Sequence, residues 1–171
     1  MSWATDWRAK VGIAATVAVA VSVAALVAAA SSSGVNAARC NGRKATIVGT
    51  SGSDTIYGTN GADVIVARGG SDKVYGLSGD DFICGNGGND YLVGGSGDDV
   101  LFGGDGRDSL DAGSGDDRAY GGPGSDALFG GSGQDLLQGD DILPYQNDSC
   151  DGGDGQNDTA LGDCEVKLNV P

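Results

Sequence analysis

Ten aspartates recur at nine-residue intervals: Asp54, Asp63, Asp72, Asp81, Asp90, Asp99, Asp108, Asp117, Asp126 and Asp135. A glycine stands two residues before every one of them, from Gly52 to Gly133. A carboxylate is a hard, charged oxygen donor, and glycine-rich turns leave backbone carbonyls free to face a ligand. Oxygen donors of this kind suit calcium or magnesium rather than zinc or copper. Flexible carbonyls favour calcium, which accepts about six to eight loosely placed oxygens, over the tight octahedron of magnesium. The chain contains no histidine. That removes His-ligated metals, HExxH zinc sites and both Ser-His-Asp and Cys-His nucleophiles.

The charge balance agrees. Lys and Arg number 10 against 24 Asp and Glu, a net charge of -14. A basic nucleic-acid footprint is missing, and such a surface repels nucleic acid and anionic lipid while attracting cations. Glycine is abundant at 33 residues while proline is only 3, which excludes collagen and a proline-rich linker.

These aspartates must be positioned by a repeat. Units of nine begin at Gly49, Gly58, Ala67, Gly76, Gly85, Gly94, Gly103, Ala112, Gly121 and Gly130 and run without a gap to Gln138. Position 4 is always Gly, position 6 always Asp, and position 8 always aliphatic, from Ile56 to Leu137. A disordered Gly/Asp spacer has the same composition but no reason to keep an aliphatic register. Alternation along a strand points positions 7 and 9 outward if position 8 points in.

The unit Gly94-Gly95-Ser96-Gly97-Asp98-Asp99-Val100-Leu101-Phe102 follows the pattern G-G-x-G-x-D-x-U-x. Over about 90 residues the chain resembles the repeats-in-toxin (RTX), hemolysin-type calcium-binding family. The resemblance implies an all-β fold, a right-handed parallel β-roll with turns at positions 1–6 and short strands at positions 7–9, two units per turn. It also implies Ca2+ between a turn and the turn two units later. The ligands would be the ten position-6 carboxylates and turn carbonyls such as those of Gly85, Gly94, Gly103 and Gly121. Position 2 departs from the pattern as Thr50, Thr59, Arg68, Leu77 and Asn86, and position 1 as Ala67 and Ala112. The N-terminal sites are therefore expected to be weak or empty, and those from Gly76 onward filled.

One aliphatic side chain per nine residues is a thin core, and stacked rungs bring like-charged Asp residues to about 4.8 Å. A chain disordered without calcium and folded with it follows. RTX repeats usually accompany an enzyme or toxin domain, for which this length leaves no room. The expected function is a secreted, non-catalytic calcium-binding β-roll. A structural, matrix or adhesion protein of the cell envelope, with purely architectural calcium, is the alternative. A polysaccharide-modifying enzyme using Asp80/Asp81, Asp98/Asp99 or Asp116/Asp117 is weaker, because those pairs sit in the turns.

The ends complete the expected organisation. Residues 11–30 are apolar or small except Thr16 and Ser22, follow Arg8 and Lys10, and precede small residues up to Ala37. This predicts a helical secretory signal, or an uncleaved anchor, over residues 1–37 and an extracellular location. Residues 38–48 read as an N-terminal cap, 49–138 as the ten-unit roll, and 139–171 as a C-terminal cap with a degenerate repeat. Export makes disulfides natural for the four cysteines. Cys150 with Cys164 would staple the cap, leaving Cys40 with Cys84. That second pair lies two rungs apart, roughly 9.6 Å, beyond disulfide reach unless residues 40–44 leave the register. The even-unit face carries Val64, Val66, Phe82, Cys84, Val100 and Phe102, an apolar surface that reads either as a contact for a protein or a cell-wall polymer or as strand-favouring residues covered by the segment before the roll.

Overall fold

The structure is a computed structural model that describes residues 38–139, 148–155, 157–162 and 164–167. The expected signal or anchor over 1–37 lies outside the described residues. Every described element is a strand: β1 (Arg39–Cys40), β2 (Arg43–Lys44), β3 (Ile47–Val48), β4 (Thr55–Tyr57), β5 (Val64–Gly69), β6 (Lys73–Ser78), β7 (Phe82–Gly87), β8 (Tyr91–Ser96), β9 (Val100–Asp105), β10 (Ser109–Ser114), β11 (Arg118–Tyr120), β12 (Ala127–Ser132), β13 (Leu136–Gln138), β14 (Asp148–Gly153), β15 (Thr159–Leu161) and β16 (Cys164–Lys167).

From β3 onward, odd-numbered strands form one seven-stranded sheet and even-numbered strands the other. All pairings in both are parallel, so two nine-residue units make one turn of a β-solenoid of about six turns. The register is an 18-residue offset that stacks Leu92, Leu110 and Leu128 in one sheet and Ile65, Ile83 and Leu101 in the other. Position 8 from both sheets meets in the middle. Ile56, Ile65, Val74, Ile83, Leu92, Leu101, Leu110, Ala119, Leu128 and Leu137 make one buried core. The two-residue alternation of a strand is what sends every one of them inward.

The solenoid continues past the regular repeat. Cys150 pairs opposite Leu128, Ala160 opposite Leu137, and Val166 opposite Cys150. The Cys150–Cys164 disulfide closes the end of the core.

At the other end, β1 and β2 form an antiparallel hairpin. Its turn is Asn41-Gly42, with φ of 44° and 82°, a pair that tolerates the left-handed conformation tight hairpins require. The hairpin leaves the parallel register and lies against the outside of the β5/β7 sheet. Cys40, wholly buried, packs there with Val66 and Cys84 and bonds Cys84 across a Cα–Cα distance of 5.6 Å. The two-rung gap is thus spanned because residues 39–44 are not part of the rung below. Of the two readings of the apolar face, the hairpin's cover over Val66 and Cys84 is the one observed there. Val66 and Cys84 keep 4% and 7% exposure beneath the hairpin, and the Arg43 guanidinium lies 3.7 Å from the Phe82 ring centroid. The Val66 and Cys84 part of that surface is covered by the chain itself, because burying it there removes apolar area from water.

Candidate metal centre

Each turn delivers its position-6 aspartate to an edge of the roll, where β-stacking repeats it rung by rung. Two carboxylate ladders result. One runs Asp54, Asp72, Asp90, Asp108, Asp126, Asp148; the other Asp63, Asp81, Asp99, Asp117, Asp135, Asp158. Within each ladder the backbone N–H of one aspartate donates to Oδ1 of the aspartate one rung further on. Asp81 donates to Asp99 at 2.8 Å and Asp99 to Asp117 at 2.7 Å. From Asp63 to Asp148, every member is buried to 7% exposure or less.

The second oxygen is the telling one. Oδ2 of Asp72, Asp81, Asp90, Asp99, Asp108, Asp117 and Asp135 is buried without a hydrogen-bond partner. An ionised oxygen removed from water and left unpaired is costly. Burial accordingly pushes the Asp99 and Asp108 carboxyls up to about 7 and Asp117 to about 6, from a usual 3.8. Burial likewise raises Asp72, Asp81, Asp90 and Asp135. The donated backbone N–H opposes the shift, and neighbouring carboxylates of the ladder reinforce it.

Position-1 glycine makes room for this arrangement. A Cβ on Gly103 would sit 2.5 Å from Asp108 Oδ2 and 2.6 Å from the Gly121 carbonyl oxygen. The same space is bounded at Gly76 by Asp81 Oδ2 and the Gly94 carbonyl, at Gly85 by Asp90 Oδ2 and the Gly103 carbonyl, at Gly94 by Asp99 Oδ2 and the Ala112 carbonyl, and at Gly130 by Asp135 Oδ2 and the Gly152 carbonyl. The φ at position 1 is not positive at any of the ten units, and Ala67 and Ala112 place a buried Cβ there in the turns of Asp72 and Asp117. Left-handed backbone falls at positions 2 and 4, as at Gly95 (φ 119°) and Gly97 (φ 125°). Arg68, Leu77 and Asn86 hold φ of 75–87° at position 2 without being glycine.

Carboxylate and carbonyl oxygens crowd each inner turn, and among the described residues no three His, Cys, Asp or Glu side chains form a cluster of their own. The donor set is one of hard oxygens, part side chain and part backbone, with unpaired charge. That fits a calcium ion and not a soft metal.

A family model for four copies of the RTX calcium-binding nonapeptide repeat matches residues 48–83, 85–119 and 102–137, more than half of the chain. The chain belongs to the RTX calcium-binding repeat family. Comparison with curated proteins and with solved structures returned no match. The RTX β-roll explains why the ladder is built from paired turns, since each rung repeats the donors of the one two units before.

Asp148 was not among the ten aspartates read from the sequence, yet it accepts the Asp126 N–H at 2.8 Å and extends the RTX ladder. It follows Asp135 at a spacing four residues longer than the repeat, which hides it from a strict nine-residue count. The run Asp148-Ser149-Cys150-Asp151-Gly152-Gly153 still carries the position 6 to position 2 pattern. Asp54 and Asp63 were among the ten, and they differ from the rest: Thr50 and Thr59 satisfy their Oδ2 atoms.

Proposed function

We propose that this RTX protein is a secreted, non-catalytic β-roll whose folding is coupled to calcium. One observation carries the reading: Oδ2 of one inner turn after another is buried and unpaired, as in Asp81, Asp90, Asp99 and Asp108. Carboxylates so placed resist folding while ionised and favour it when a cation neutralises them. Asp72, Asp81, Asp90, Asp99, Asp108, Asp117 and Asp135 would hold the ions, with the carbonyls of Gly94, Gly103, Ala112, Gly121 and Gly152 beside them. A bound calcium supplies positive charge and a flexible coordination shell for these oxygens. The chain's own contribution is to fix Oδ1 through the neighbouring N–H, so that Oδ2 alone faces the inner turn.

Export is supported by the apolar leader and by two disulfides, which persist in oxidising compartments. A non-catalytic role is supported by the paired carboxylates Asp80/Asp81, Asp98/Asp99 and Asp116/Asp117. Position-5 Asp80, Asp98 and Asp116 each accept a backbone N–H from the next rung at 2.9–3.1 Å, so both members of each pair serve the turn.

The test is a calcium titration of the oxidised chain followed by far-UV circular dichroism, with magnesium as control. A coil-to-β transition specific to calcium is expected. Full β-structure in chelator, or no transition with either ion, overturns the coupled-folding reading.

A further inference from the structure

The first turn on each edge of the roll is wired differently from the inner turns of Asp72, Asp81, Asp90, Asp99, Asp108, Asp117 and Asp135. Asp54 Oδ2 accepts the Thr50 N–H at 2.6 Å and the Thr50 hydroxyl at 2.9 Å. Asp63 Oδ2 accepts the Thr59 N–H at 2.7 Å and the Thr59 hydroxyl at 2.9 Å. Each threonine hydroxyl lies near the carbonyl of Gly52 or Gly61, and the position-4 N–H points back at it. Asp63 is closed on its other side as well, because Thr46 Oγ1 donates to Oδ1 at 3.1 Å. The atom that is unpaired in Asp72 and Asp81 is thus doubly bonded one rung earlier.

The backbone follows the same divide. Position 2 has positive φ from Arg68 onward, whereas neither Thr50 nor Thr59 does. The carboxylate has also drawn back. A Cβ on Gly49 or Gly58 would be 3.0 or 3.1 Å from the aspartate Oδ2 of its turn, against 2.5 Å at Gly103 and Gly130. Two hydrogen bonds to an ionised oxygen are the strong, charge-assisted kind. They give the carboxylate what a cation would otherwise give it.

We propose that the Thr50 and Thr59 hydroxyls replace the ion in the first turn of each edge. These two turns close without metal, and the calcium columns begin at Asp72 and Asp81. Position 2 is then the residue that selects between an ion-filled and an ion-free turn. The inference rests on the calcium reading above and adds where the ions stop.

The experiment counts bound calcium per oxidised, full-length chain by equilibrium dialysis at saturating calcium. Asp63→Asn is expected to keep the wild-type count, whereas Asp81→Asn loses about one ion. Thr50→Gly with Thr59→Gly removes both hydroxyls and frees position 2 to adopt positive φ. That variant is expected to gain about one ion per replaced turn, while Thr59→Ser, which restores the hydroxyl, stays at the wild-type count. Loss of an ion in Asp63→Asn, or an unchanged count in a folded double glycine variant, overturns the proposal. A wild-type chain that binds no calcium overturns the calcium reading instead, so the two failures are distinct.

Discussion

The Asp81 N–H donates to Asp99 Oδ1 at 2.8 Å, while Oδ2 of the same Asp99 carboxylate is buried with no partner. One oxygen holds the rung together and the other waits for charge. The two roles separate in a variant. Asp99→Asn keeps an oxygen for the Asp81 N–H and removes the buried charge. Calcium affinity is expected to fall by more than the roughly 10–100-fold typical of losing an outer-shell partner. Structure in chelator is expected to rise. Calcium titration and thermal melts of Asp99→Asn against wild type check both directions.

The pH dependence has a definite sign. Burial raises the folded-state carboxyls of Asp99 and Asp108 to about 7 and Asp117 to about 6, above the unfolded 3.8. The folded chain therefore binds protons more tightly than the unfolded one, and folding without calcium takes protons up. Ion-free stability is greatest below about pH 4 and is lost as pH rises from there through about 7. Circular dichroism in chelator is expected to show more β-structure at pH 4.5 than at pH 8. Calcium is expected to bind more tightly at pH 8, with proton release measurable by calorimetry in buffers of different ionisation heat.

Leu77 holds φ of 85° with 43% of its surface exposed. A left-handed conformation costs a non-glycine residue about 1–2 kcal/mol, and glycine's extra unfolded-state entropy returns about 0.5–1 of that. Leu77→Gly is expected to stabilise the calcium-loaded roll by roughly 0.5–1 kcal/mol, read from chemical denaturation at fixed free calcium. Gly97→Ala is expected to act oppositely and more strongly. Its φ is 125°, and the new Cβ would collide with the Gly79 carbonyl.

The Cys40–Cys84 bond closes a 44-residue separation and pins the hairpin over Val66. Loop closure of that length stabilises by about 4 kcal/mol in the chain-entropy picture, against about 3 for the 14-residue Cys150–Cys164 separation. Cys40→Ser with Cys84→Ser is expected to raise the calcium needed for folding and to increase binding of an apolar dye at the uncovered β5/β7 face. No change in either would mean that the hairpin holds by packing alone.

The repeat was legible because its cause is local. The Gly and Asp turns and the aliphatic at position 8 are set by a nine-residue count, so sheet alternation and the inward face of Ile65, Leu92 and Leu128 followed without coordinates. Positions such as Asp148 escaped because a four-residue insertion breaks the count but not the stacking, which depends on strand pairing with β12.

The sequence by itself determined the period, the chemistry of the donors and the inward register, since each depends on residue type and spacing along one strand. The tertiary structure alone decided where those strands' outer faces go and which oxygens are paired. The hairpin settles on Val66 and Cys84 because stacking makes their apolar surfaces contiguous across β5 and β7. Thr50 and Thr59 reach Oδ2 while Leu77 and Arg68 cannot, because hydrogen bonding between rungs depends on turn conformation and a hydroxyl's reach, which a nine-residue pattern does not record.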